Sequence, residues 1–252
     1  MLFRSTGVSI GANMAIFLAS RGGMIALTGF PPEIVARYGA VPSGGAQALR
    51  IYFREFGALL YPPGALGEGG SLFDLSNPNS AGVSTPVFTS DGALGTAENA
   101  FGNMTLADLD TTVLVPALDL ISGYAVFFVQ NTFKSPPVTS SAKLVPRSDP
   151  KSAPYPGGQF VPDLVFDEEK DYYLSDVGVG AGAAPIFDSA LSVSAVNNFT
   201  EEFLLVDGAV PIEDAVLFAS YFVASESYAS GLEDIAIISV GNVRVISDYT
   251  RS

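Results

Sequence analysis

Two short segments, far apart in the chain, hold residues whose types could do chemistry together. Gly7-Val8-Ser9-Ile10-Gly11 has the Gly-x-Ser-x-Gly spacing of a turn that lifts a serine hydroxyl above a sheet, and Asp207-Gly208-Ala209 closes a late apolar run. The chain contains no histidine. A Ser-His-Asp triad is therefore excluded, whereas a serine whose proton passes directly to an aspartate is not. In that arrangement Ser9 is the nucleophile and Asp207 the base. Gly7 and Gly11 shape the elbow, Ile10 offers a backbone N–H to an oxyanion at a helix start, and Gly208 supports the turn after the acid. Each segment also has a plainer reading. Gly-x-Ser-x-Gly suits an ordinary strand-to-helix turn, and Asp-Gly is a common turn dipeptide.

The composition narrows what such a site could serve. The 252 residues carry 48% hydrophobic and only 15% charged residues, with a mean hydropathy of +0.36. No apolar run is long enough to span a bilayer, so the excess apolar material belongs to a large core, a membrane-facing surface or a partner interface. A net charge of −14 repels phosphate backbones, so nucleic acid is not an expected partner. The absence of both cysteine and histidine removes thiolate and imidazole ligands, and no EF-hand-like loop is present. Neither a metal nor a cofactor is expected. Arg4 followed by Met14-Ala15-Ile16-Phe17-Leu18-Ala19 has a faint signal-peptide character, but Gly7, Ser9, Gly11 and Asn13 interrupt it. Secretion is accordingly not expected, and the cytoplasm or a membrane periphery is favoured.

The elements that must position these residues alternate. Residues 9–20 predict a nearly all-apolar helix directly after the Ser9 turn. A short helix follows over 31–40 and a stronger one over 45–59, with Leu49, Phe53, Phe56 and Leu60 at helical spacing. Residues 61–100 read as a long Gly/Pro/Ser-rich loop, and 131–170 as a second polar excursion over the surface. Between them, Thr105 to Leu109 is a helical turn, and strands at 111–119 and 124–129 form a hairpin. Pro116 marks its neighbourhood as an edge or irregular stretch. A small-residue helix over 172–184, a buried strand ending at Asp207, a helix over 213–224 and an Ile-rich strand over 234–240 complete the pattern. This alternation predicts an α/β layered sheet in a single domain over 1–252.

Several segments carry a family resemblance. Asp176-Val177-Gly178-Val179-Gly180-Ala181-Gly182-Ala183-Ala184-Pro185-Ile186-Phe187 resembles the patatin segment in which a small-residue helix ends at Ala-Ala-Pro before an aromatic. Phe203-Leu204-Leu205-Val206-Asp207-Gly208-Ala209-Val210 is similar to the strand that supplies the patatin aspartate. Ala236-Ile237-Ile238-Ser239-Val240-Gly241 looks like the closing Ser-Leu-Gly strand, Ile51 to Pro62 like the aromatic helix, and Val113 to Phe128 like the strand pair ahead of the small-residue helix. Order and approximate spacing agree from residue 7 to about residue 241, with little similarity over 61–100 and 131–170.

The resemblance implies a patatin-like phospholipase (lipid acyl hydrolase), N-terminally truncated or degenerate. Its fold would be a three-layer, largely parallel sheet with helices on both faces, lacking the usual first strand. Its activity would be cleavage of acyl esters of membrane lipids or lysolipids by a Ser9–Asp207 dyad through an acyl-enzyme, without a cofactor. One departure stands out. Patatins carry a glycine-rich oxyanion loop ahead of the serine motif, and no such loop precedes Ser9 here. The resemblance therefore leaves open a catalytically impaired domain acting in lipid or protein binding. It equally leaves open a partner or missing N-terminal segment that completes the oxyanion hole.

Overall fold

The computed structural model describes residues 4–20, 32–38, 49–55, 90–131, 138–145, 163–166, 169–185, 187–196 and 198–211. All belong to one compact unit spanning residues 1–215, so the single-domain expectation over 1–252 extends past what is described. The expected helix over 213–224 and strand over 234–240 also lie outside the described residues.

A seven-stranded sheet organises this unit. Its strands are β1 (Arg4–Thr6), β2 (Thr112–Asp119), β3 (Ala125–Asn131), β4 (Val138–Val145), β5 (Asp163–Phe166), β6 (Leu191–Ala195) and β7 (Asn198–Asp207). The order is β5-β4-β3-β2-β7-β6, with β1 also paired to β2. Only the β1–β2 pairing is parallel; the other five are antiparallel. This overturns the largely parallel patatin-like sheet. The reason lies in the connections. A parallel crossover needs about a dozen or more residues, and the links between β2 and β3, β3 and β4, and β6 and β7 are too short for one. Long connections permit either direction: β1 and β2 pair parallel, whereas β4 and β5, also joined by a long link, pair antiparallel. The parallel expectation rests on the Ile-rich run over 234–240, which lies outside the described residues. Val113-Leu114-Val115 of β2 is equally apolar and buried, yet β3 and β7 run antiparallel to it.

The positions of β1 and β7 along β2 decide where the two candidate catalytic residues go. Arg4, Ser5 and Thr6 pair with Thr112, Val113 and Leu114. Leu205, Val206 and Asp207 pair with Asp119, Leu118 and Ala117. One strand runs parallel to β2 and the other antiparallel to it. Both therefore point their C-terminal ends at the same short gap beside Val115 and Pro116. Pro116 pairs with Phe127 of β3 on one side and faces that gap on the other, which is the irregular stretch, rather than the outer edge, that its sequence reading allows. Amides along β2 alternate sides: the Asp119 N–H donates to Tyr124 O of the hairpin, and the Leu120 N–H donates to Leu204 O of β7. Pro116 is in phase with Leu120, so its missing N–H falls where neither β1 nor β7 would accept it.

Helices pack against the sheet and against one another. They are α1 (Ile10–Ala19), α2 (Pro32–Tyr38), α3 (residues 49–55), α4 (Ser90–Phe101) and α5 (Leu174–Gly182). α1 packs on β1 and β2, while α5 packs on β2, β6, β7 and both α1 and α4. Their buried face meets Val113, Val115, Val126, Phe128, Phe203 and Leu205 of the sheet in one core. Phe17 joins α1 to α3 and α4 through ring contacts with Tyr52 at 5.0 Å and Phe101 at 4.8 Å. At the sheet's other end Phe128 meets Tyr172 edge-on at 4.9 Å. The Tyr172 hydroxyl hydrogen-bonds Ser141 Oγ at 3.0 Å, which accounts for two buried polar groups.

The glycines of α5 have separate tasks. A Cβ on Gly178 would lie 2.5 Å from Asn13 Oδ1 of α1, and one on Gly180 would lie 2.8 Å from Leu205 Cδ1 of β7. Small residues therefore let α5 approach a helix on one side and a strand on the other. Low helix propensity is the local cost of that close approach.

Two stretches expected to be loops contain regular structure. α4 begins inside the presumed 61–100 loop, because Ala97, Ala100 and Phe101 recur at i, i+3 and i+4 and are buried. β4 and β5 lie inside the presumed 131–170 excursion. Val138-Thr139-Ser140-Ser141-Ala142-Lys143 looks polar in sequence, yet it pairs along its length with β3. β6 was also not anticipated. By contrast, the hairpin over 120–123 is present. The Asp119 carboxylate accepts the N–H groups of Ile121 and Ser122, and Gly123 takes φ 72°.

Asp176, in the first turn of α5, has its pKa pushed up to about 6 by burial, with Glu98 of α4 adding repulsion against a bond from Ser175. A raised carboxyl pKa contributes stability below the unfolded value near 3.8, and this is lost as pH rises through about 6. Asp176→Asn should therefore be more stable than wild type at pH 7, by about 1–2 kcal/mol after discounting for solvent screening. The advantage should vanish near pH 3.5. Urea unfolding midpoints at the two pH values measure both.

Candidate functional site

Ser9 sits between β1 and α1, and its backbone is strained. Its φ of 58° and ψ of −131° make it the one non-glycine residue with positive φ among the described residues. A side chain in this region costs on the order of 1–3 kcal/mol, and such residues concentrate at functional sites. The turn is tight because Gly11 N–H donates to Val8 O at 2.9 Å and Ala12 N–H to Ser9 O at 2.8 Å. The two glycines of the motif are not equivalent. A Cβ on Gly7 would lie 1.8 Å from Gly11 O, whereas a Cβ on Gly11 meets nothing within 4 Å. Gly7 is thus required by the fold of the elbow, and Gly11 is not required sterically.

Asp207 is the last residue of β7 and is 4% exposed. Its amide and the next are taken by the end of α5: Asp207 N–H donates to Ala183 O at 2.9 Å, and Gly208 N–H to Ala181 O at 3.1 Å. These bonds satisfy carbonyls that the helix C-terminus leaves open, and they fix the acid against the helix. Gly208 has no room for a side chain, since a Cβ would lie 2.2 Å from Pro116 O. Gly208 therefore lets β7 end against the proline that marks the gap in the sheet.

The structure brings Ser9 and Asp207 together. Ser9 Oγ donates to Asp207 Oδ2 at 2.5 Å, and Asp207 Oδ1 accepts the Ala209 N–H at 2.8 Å. The hydroxyl thus has a direct proton acceptor held by a backbone amide, the geometry a serine nucleophile needs without an imidazole. The Ile10 N–H, first amide of α1, has no protein partner among the described residues and lies at a helix N-terminus next to Ser9. It is suited to donate to an oxygen bearing negative charge.

A small cavity reaches Ile10, the residue after Ser9, and Ala183, whose carbonyl holds the Asp207 amide, without including Ser9 or Asp207 in its lining. Ile10, Ala93, Val179, Gly182 and Ala183 line it, together with the rings of Tyr52 and Phe53 and the polar Asn13, Asp188 and Ser189. Asp188 was not singled out in the sequence. It closes the turn after α5 twice: its N–H donates to Ala184 O at 2.8 Å, and its Oδ2 accepts the Ala184 N–H at 3.2 Å. Burial raises its pKa above the usual carboxylate value and the Asp207 charge raises it further, against the Ala184 bond. Its only sequence signal is an acid four residues after Ala184, just past Ala-Ala-Pro. Among the described residues no group of three or more acids could hold a metal ion.

The asymmetry of the elbow gives a paired test. Gly7→Ala should destabilise the protein by about 2–4 kcal/mol, because the clash is with backbone that cannot move without breaking the turn. Gly11→Ala should stabilise it by up to about 1 kcal/mol, because alanine favours helix over glycine and meets no neighbour. Chemical denaturation of the two variants reads both signs. A third variant, Ser9→Gly, should be about 1 kcal/mol more stable than Ser9→Ala, since glycine relieves the strain at positive φ.

The chain matches no protein-family model and no curated protein, so the site's own geometry carries the functional reading.

Proposed function

We propose that this protein is a serine-dependent acyl hydrolase of the phospholipase A or esterase type, acting on carboxylic esters of lipids through the Ser9–Asp207 dyad. The observation that carries this reading is the short hydrogen bond from a strained, half-buried serine to a buried aspartate. The plainer alternatives explain it less well. A turn serine needs no positive φ, and a turn aspartate needs no partner from the opposite end of the chain.

In the proposed reaction Ser9 Oγ attacks the ester carbonyl carbon while its proton passes to Asp207 Oδ2. The carbonyl oxygen becomes negative and takes a hydrogen bond from the Ile10 N–H. Collapse of this intermediate breaks the bond to the alcohol, which leaves with the proton held by Asp207. Water then attacks the acyl-Ser9 ester, gives its proton to Asp207, and releases the carboxylic acid with Ser9 restored. The apolar walls formed by Ile10, Ala93 and Val179 suit the hydrocarbon part of an ester. The patatin resemblance of the segments around Ser9 and Asp207 supports lipid esters as the substrate class. The antiparallel sheet separates this proposal from any claim to the patatin architecture.

Hydrolysis of a short-chain nitrophenyl ester by wild type, Ser9→Ala and Asp207→Asn tests the reading. Wild type should turn over, and each variant should lose about 10³-fold or more in kcat/KM, because the two residues act as one unit. Undiminished turnover in Ser9→Ala, or none in wild type, would remove this mechanism.

A further inference from the structure

α1 holds a single side chain able to donate a hydrogen bond, and it is buried against α5. Asn13 lies one turn after Ser9, is 9% exposed, and its Nδ2 donates to Gly178 O at 3.1 Å. Its Oδ1 has no hydrogen-bond partner among the described residues. A buried acceptor left unmet costs stability, and an apolar side chain of similar shape would avoid that cost. Fold stability alone therefore does not explain an asparagine here. The contacts around it are close. A Cβ on Gly178 would lie 2.5 Å from Asn13 Oδ1, and one on Gly182, a turn later in α5, would lie 3.7 Å from Ser9 O and 3.9 Å from Asn13 Nδ2. Three hydrogen bonds then close a ring through the dyad. Ser9 Oγ donates to Asp207 Oδ2, the Asp207 N–H donates to Ala183 O at the end of α5, and Asn13 Nδ2 ties α5 back to the helix that begins after Ser9. The nucleophile travels with α1 and the base is fastened to α5, so the seating of one helix on the other sets the distance between them. Every other side chain of α1 is apolar or absent, and apolar packing alone is non-directional. The Asn13–Gly178 hydrogen bond supplies the directional constraint.

We propose that Asn13 is a positioning residue for the Ser9–Asp207 dyad, whose hydrogen bond to Gly178 O fixes the seat of α1 on α5 and thereby the distance between nucleophile and base. This rests on the hydrolase reading above and adds to it a residue that acts through the two helices rather than on the substrate. A merely structural Asn13 would be replaceable by any combination of side chains that restores packing and stability. A positioning Asn13 is not, because a misplaced nucleophile is slow even in a well-packed protein.

The glycine facing Asn13 provides the control. Asn13→Ala removes the two atoms that a Cβ on Gly178 would meet most closely, and the next neighbour, Ile16 Cδ1, lies at an ordinary 3.5 Å. The double variant Asn13→Ala/Gly178→Ala therefore fills the space from the α5 side, and alanine favours helix over glycine. It should match or exceed wild type in urea midpoint, yet lose about tenfold or more in kcat on a short-chain nitrophenyl ester, with KM within about twofold. Asn13→Ala alone should show the same loss in kcat with a lower midpoint, and it carries both readouts if the double variant does not fold. Wild-type kcat in either variant would assign Asn13 to packing and overturn the proposal, as would a loss confined to KM. Crystal structures of wild type and the double variant form an arm that needs no turnover. Ser9 Oγ and Asp207 Oδ2, 2.5 Å apart in wild type, should leave hydrogen-bond reach in the double variant. A dyad that keeps its distance there would overturn the proposal, whatever the esters do. Absence of hydrolysis by wild type, with the dyad opening in the double variant, would sink the hydrolase reading and leave Asn13 as the residue that sets the pair.

Discussion

Everything in the site depends on two strands ending nose to nose along one side of β2. β1 runs parallel to β2 and β7 antiparallel to it, and their last paired residues, Thr6 and Asp207, face Leu114 and Ala117. That register leaves a gap two residues long. Into it the Ser9 elbow enters from one side and the Asp207 turn from the other. The hydrogen bond between Ser9 and Asp207 closes the gap that the backbone ladders leave open. Neither strand alone could place a donor and an acceptor there, because a continuous neighbour strand would fill the space with its own amides.

The surrounding sequence is shaped by this junction. Pro116 removes an N–H that would have no partner in the gap, and its carbonyl leaves room only for glycine at 208. α5 contributes its open C-terminal carbonyls to the amides of Asp207 and Gly208. Its glycines allow it to sit close enough to α1 and β7 for those bonds to form. The strain at Ser9 is sustained because Gly7, the bonds of the elbow and the packing of α1 together over-determine its conformation. A polar dyad in an apolar setting is thus held by backbone geometry rather than by surface charges, as expected of a chain with so few charged residues.

Much of the site was legible in the sequence, and less of the fold. The spacing of Gly7, Ser9 and Gly11, the apolar run before Asp207 and the lack of histidine carry chemical information that survives without a structure. α1, α3 and α5 announce themselves by periodicity or by their small residues. Strand direction does not, because an apolar run buried on both faces reads the same in either orientation. A short connection forces an antiparallel pair while a long one permits either, and the short β3–β4 and β6–β7 links are legible only once β4 and β6 are. β4 was hidden by its polar residues, among them Ser141, whose buried hydroxyl is met by that of Tyr172. α4 was hidden by Gly92 and Gly95, although Ala97, Ala100 and Phe101 carry its helical spacing. Asp188 could not have been found, because its meaning comes from a cavity that assembles α1, α3, α4 and the end of α5.

The most direct measurement is the site of covalent modification by a fluorophosphonate, read by peptide mass mapping, with its rate compared in wild type and Asp207→Asn. The account predicts a single adduct on Ser9 that forms far more slowly once the carboxylate is gone. An adduct on another serine, or labelling of Ser9 at the same rate in both proteins, would contradict it.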